Sequence, residues 1–132
     1  LDSDDYIPST TLEEIDYYLK NYNLDMLAFD CNMVDTAGQI LQIATVNAFS
    51  EEFTLLNRKQ FMLLEPTACL KVYRRLLYMT YSISFPEHLW YEDLATVFKL
   101  VPHANLLGYL KKPSTIMCSI QQVLHTAEIP NV

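Results

Sequence analysis

The stretch Asp25–Asn57, DMLAFDCNMVDTAGQILQIATVNAFSEEFTLLN, decides how the chain is read. It opens with a short apolar run, Met26 to Phe29, that stops on a carboxylate, Asp30. Asp35 and Gly38 follow, residue types that turns use for unusual backbone angles. Ile40, Ile43, Thr45 and Val46 then form a β-branched run, and Phe53 to Leu56 comes after a polar break at Ser50, Glu51 and Glu52. The pattern predicts three strands joined by tight connections, with a carboxylate closing the first. Phe29 and Ile43 lie in near-continuous apolar runs, so both are expected to be buried in the central sheet.

Upstream, residues 1–8 (LDSDDYIP) read as a loosely held acidic lead-in to a domain spanning 9–132. A helix follows, with Thr10 or Thr11 as cap and Glu13 or Glu14 as the reciprocal partner. Leu12, Ile15, Leu19 and Tyr22 share one of its faces. Downstream, Pro66 predicts a second helix over 67–80, with Cys69, Leu70, Tyr73, Leu76 and Leu77 as its apolar stripe. Lys71, Arg74 and Arg75 fall on the side expected to face water. A third helix is expected near 90–100, with Glu92 and Asp93 in its first turn and Leu94, Ala95 and Phe98 facing inward. His103 to Leu110 reads as a fourth strand. A fourth helix capped near Ser114 would bury Ile116, Met117, Ile120, Val123 and Leu124, and Ile129 to Val132 would begin a fifth strand.

With 132 residues, 51% apolar and 19% charged, the chain has the size and composition of one folded domain. A net charge of −7 opposes a bulk electrostatic grip on nucleic acid, which relies on clustered Lys and Arg. Cys31, Cys69 and Cys118 are odd in number and lack CxxC spacing, which argues against a disulfide scaffold or a zinc site and for a reducing, intracellular setting, cytoplasmic or nuclear. No apolar run reaches the length of a membrane span, and the first residues lack a signal-peptide layout. Leu1 in place of Met reads as the start of an excised piece.

The segment LAFDCNMVDTAGQILQIATVN, residues 27–47, resembles the opening of the DEDD-type 3′–5′ exonucleases of the RNase H-like superfamily. Their first motif is an apolar strand ending in Asp-x-Glu, then a turn and a strand reading like Ile-x-Gln-Ile-Ala. The resemblance implies an α/β fold: an RNase H-like mixed sheet of three antiparallel strands and then parallel strands, flanked by helices. Its last helix would lie beyond this chain. It also implies cleavage by two metal ions held by several carboxylates, and here the residues fall short. Asn32 stands in place of the glutamate and lacks the charge a hard cation needs. Gly108 to Thr115 holds Lys111 and Lys112 where a second aspartate is expected, and His125 has no aspartate after it. Asp30 and Asn32 are then vestigial, with no catalytic residue, no metal and no cofactor; Asp30 equally suits a turn cap or a hydrogen bond to the next strand.

The resemblance therefore implies a catalytically inactive exonuclease-like domain, a pseudoenzyme that acts as a protein–protein interaction or scaffolding module in an RNA-processing, RNA-transport or small-RNA pathway complex. Phe61, Met62, Tyr81, Phe85 and Trp90 are the candidates for contact with another protein chain or a second copy, because large apolar groups crowd these segments. RNA would be met indirectly or weakly, and no membrane is expected. Two rivals remain: an active metal-dependent 3′–5′ exonuclease whose other ligands lie outside this chain, and a non-cleaving single-stranded RNA-binding domain using Lys111 and Lys112.

Overall fold

In the computed structural model, which describes residues 5–45 and 49–118, the apolar run from Met26 does not end at Asp30. It continues as one strand, β1 (Met26–Val34), buried without interruption from Met26 to Cys31. β5 (Leu107–Cys118) runs parallel to it along one edge. The other edge is shared. β2 (Ile40–Ala44) pairs antiparallel with Cys31 to Val34, and β4 (Lys71–Tyr73) pairs antiparallel with Met26 to Ala28. Phe29 and Asp30 fall between these two ladders. β3 (Phe53–Leu56) lies beyond β5 and antiparallel to it, giving the order β2-β1-β5-β3.

Side chains alternate across a strand, so β1 feeds two cores. Leu27 and Phe29 pack with Leu24, Leu110 and Ile15 under α1 (Thr11–Asn21). Met26 and Ala28 pack on the opposite face with Leu107 and Tyr109. That face is covered by Phe61 of α2 (Arg58–Met62), Leu77 of α3 (Arg75–Tyr81), and Val97 and Leu100 of α4 (Glu92–Leu100). Fully burying a side chain such as Leu27 or Leu110 contributes about 1.5–3 kcal/mol. Gly108 is fixed by packing: a Cβ there would meet Phe53 Cε2 at 2.9 Å and Leu24 Cδ1 at 3.0 Å. Asp30 is in phase with Met26 and Ala28, so it points to the face that α4 covers.

Several expectations are met. The turn after β1 is held by Asp35, whose Oδ1 accepts from the N–H groups of Ala37 and Gln39, both at 2.9 Å, and Gly38 takes φ 79°. The first helix and the one bearing Glu92 and Asp93 form where expected, and Phe29 is buried.

Other expectations are corrected. The protein has a mixed α/β architecture, but the strand order is not that of three antiparallel neighbours, because β3 pairs with β5 and not with β2. β2 is an edge strand, so Ile43 is 52% exposed. The helix expected over 67–80 is broken into a 3₁₀ turn (Ala68–Leu70), β4 and α3, since Lys71 to Tyr73 gains a ladder against Met26 to Ala28. Lys71 is thereby buried rather than solvated. Ser114 to Cys118 continues β5 instead of opening a helix, and Pro113 pairs with Asp30 between two register shifts, the kind of irregular position where a strand admits proline. Leu12, Leu94 and Phe98 are exposed; Thr96, Val97 and Leu100 face inward on α4. The lead-in is tied down at Tyr6, which exchanges backbone hydrogen bonds with Ile116 at 2.8 and 3.1 Å. His125 and the expected strand at Ile129 to Val132 lie outside the described residues.

Candidate functional site

Where β2 and β4 part, the bare edge of β1 opens a cleft of about 370 Å³. Asp30, Tyr109, Lys71, Glu65, Gln42 and Thr45 line it. Asp30 is buried and accepts a hydrogen bond from the Tyr109 hydroxyl on the neighbouring strand, so its carboxylate is engaged within the sheet. Asn32, two residues on, leaves Oδ1 buried with no hydrogen-bond partner. Burial, then the nearby Asp30 carboxylate, push the Cys31 thiol above its ordinary value, which suits packing and not nucleophilic attack.

Lys71 shapes the rim. Its Nζ donates to the carbonyl oxygens of Glu65 and, at 3.0 Å, Thr67. Burial lowers its pKa to about 8, against the opposing pull of Glu65 and Asp93. A neutral amine still carries two N–H donors, enough to keep both bonds.

A second cleft, of about 520 Å³, adjoins the first across Glu65. Glu65, Thr67, Trp90, Tyr91, Glu92 and Asp93 line it. Asp93 stands on the first turn of α4, where the helix dipole favours a carboxylate. Its Oδ2 accepts from the backbone N–H of Ala68 at 2.9 Å, which caps the 3₁₀ turn after Thr67. The segment from Glu65 to Leu70 is thus held from both sides, by Lys71 and by Asp93. From the sequence alone, Glu92 and Asp93 read as helix-start residues only. The signal that marks them out is the pair of aromatics just before them, Trp90 and Tyr91.

The remaining sequence candidates are spread apart. Phe61 is 1% exposed and belongs to the core, so it offers no contact surface. Met62, Tyr81, Phe85 and Trp90 reach the surface, and Tyr81 stacks on His103 with ring centroids 3.6 Å apart. Lys111 Nζ donates to the carbonyl of Phe49 at 2.9 Å, and Lys112 pairs with Glu14 at 2.7 Å. Both lysines are engaged within the fold, not gathered into a basic patch. Among the described residues no group of three His, Cys, Asp or Glu side chains gathers to hold a metal ion, and no helix is long and apolar enough to cross a membrane.

No protein-family model matches the chain, and no curated protein matches it. Solved structures do. The chain is similar to S. aureus TarS 1–349 in complex with UDP-GlcNAc, at 26% identity and TM-score 0.68, covering 90% of this chain and 33% of that one. A second structure of S. aureus TarS 1–349 matches at 25% identity and TM-score 0.67, over 95% of this chain and 36% of that one. A longer TarS structure matches at 26% identity and TM-score 0.67, over 90% of this chain and 21% of that one. The chain spans about a third of TarS 1–349. These neighbours overturn the resemblance to RNase H-like exonucleases, and with it the inactive-nuclease scaffold and the RNA-pathway setting. The shared segment, an apolar strand ending in Asp and followed by a turn and a β-branched strand, is a local pattern that unrelated mixed sheets reproduce.

Proposed function

We propose that this chain is part of a glycosyltransferase that takes its sugar from a nucleotide-sugar donor. The observation that carries this is the likeness, at 26% identity over 90% of the chain, to a structure holding UDP-GlcNAc. Asp93 is the group best placed to act as general base. Its Oδ2 is fixed by Ala68, which leaves Oδ1 to accept a proton in a cleft of sugar-sized volume. In the reaction proposed, Asp93 takes the proton of an acceptor hydroxyl and the freed oxygen bonds to the anomeric carbon of the donor sugar. The bond from that carbon to the diphosphate oxygen breaks, and UDP leaves with the electron pair.

The diphosphate brings negative charge to a chain that already carries −7. A divalent cation, if bound, would be held by carboxylate oxygens and would offset that charge. Asp2, Asp4 and Asp5 put three carboxylates within four residues and are the candidates for that duty; only Asp5 lies among the described residues. Its neighbour Tyr6 is paired to Ile116 of β5.

Release of UDP from UDP-GlcNAc, with water as the default acceptor, tests the proposal in the protein that carries this chain. Enzyme-dependent UDP release is expected. Intact donor across a panel of nucleotide sugars would overturn it.

A further inference from the structure

Trp90 is 88% exposed and Tyr91 is 77% exposed, beside the carboxylates of Glu65, Glu92 and Asp93 in the second cleft. Tyr91 also takes a left-handed backbone, φ 61° and ψ 41°, and His88 has φ 58°. Bulky residues rarely adopt such angles, and they persist where the surroundings hold them in place. The loop before α4 therefore presents its rings outward at a conformational cost.

The chemistry of the cleft narrows what it takes. Three carboxylates repel an acidic peptide. A protein-docking core is depleted in Glu and Asp, which are dense here. A cation-binding aromatic cage encloses its ligand with several rings, whereas the Trp90 face is open. A neutral pyranose fits: one face of its ring presents C–H groups to an indole, and its hydroxyls donate to carboxylate oxygens. We propose that Trp90 is the platform on which the pyranose of the acceptor stacks, with Glu92 and Glu65 taking its hydroxyls and one hydroxyl directed to Asp93. This rests on the transfer function proposed above and adds the class of acceptor.

Trp90 is the only tryptophan of the chain, so it reports on itself. In the protein carrying this chain, the emission lost in Trp90→Phe isolates the Trp90 signal. Titration with methyl β-D-glucopyranoside is expected to shift that signal saturably. Mannitol, a polyol without a ring face, and choline chloride are expected to leave it unchanged. Glucoside affinity, followed by ligand-detected NMR, is expected to fall roughly tenfold in Trp90→Ala, the value of a lost aromatic contact. An exposed site makes loss of folding an unnatural explanation for that fall, and a thermal melt of the variant checks it. An emission unmoved by glucoside, or moved by choline alone, would overturn the platform. UDP-GlcNAc titrated into the same protein separates the two proposals. A glucoside response without donor binding keeps the platform and removes transfer, and donor binding without a glucoside response does the reverse.

Discussion

The carboxylate of Asp93 accepts a hydrogen bond at 2.9 Å from the backbone N–H of Ala68, 25 residues earlier in the chain. That bond joins the first turn of α4 to the 3₁₀ turn before β4, and it fixes one oxygen of the group proposed as base. Asp93→Asn keeps an acceptor for Ala68 and removes the basic oxygen. UDP release is expected to fall by about 10²–10⁴, with a melting temperature close to wild type. Unchanged release would remove Asp93 from the chemistry.

Tyr109→Phe takes the hydroxyl donor away from Asp30, a carboxylate only 4% exposed. A buried acceptor left without its donor costs about 1–3 kcal/mol, and more when charged. Urea denaturation is expected to show at least that loss. A midpoint that does not move would mean that Asp30 finds another partner.

Lys71 predicts a pH dependence. Its folded pKa, about 8, lies below the ordinary 10.5, so between these values the unfolded chain binds a proton that the folded chain does not. Stability therefore rises with pH from about 8, by up to roughly 3 kcal/mol if the whole interval to 10.5 is traversed. Burial raises the hydroxyl pKa values of Tyr73 and Tyr78, which opposes this gain above the ordinary tyrosine value of 10.0. Burial likewise raises the Cys31 thiol above its ordinary 9.0, which opposes the gain from there upward, so the window to examine is pH 8 to 9. In Lys71→Met the rise is expected to vanish, and a slope equal to wild type would assign it elsewhere.

Core position decides the cost of truncation. Leu110→Ala empties a fully buried site between the β1 neighbours and α1, and is expected to cost about 2–5 kcal/mol. Ile43→Ala, on the exposed edge strand, is expected to change stability by no more than about 0.5 kcal/mol. Equal losses from the two substitutions would contradict the placement of β2 at the edge.

Local chemistry was legible in the sequence, and long-range pairing was not. Asp35 and Gly38 announce their turn because the turn needs only those residues. Glu92 marks a helix start for the same local reason, whereas Thr10 stands before the first helix without a side-chain cap bond, so the expected capping box does not form there. Ile43 misled because β-branched residues fill edge strands as readily as central ones, and only the partner strand tells them apart. Lys71 misled more. Three residues, Lys71 to Tyr73, are too few to show a period, and what makes them a strand is Met26 to Ala28, far away in the chain. The candidate site was hidden for that reason: it is assembled by β4, whose placement buries Lys71 and brings Ala68 to Asp93. The short Asp30 motif, read without those pairings, pointed to the wrong family.

The most direct measurement is a calorimetric titration of UDP-GlcNAc into the protein carrying this chain, with single-stranded RNA titrated in parallel. Saturable binding of the nucleotide sugar, with UDP competing for the same sites, is the expected result. Binding of RNA with no heat from any nucleotide sugar would contradict a donor site and return the chain to nucleic-acid chemistry.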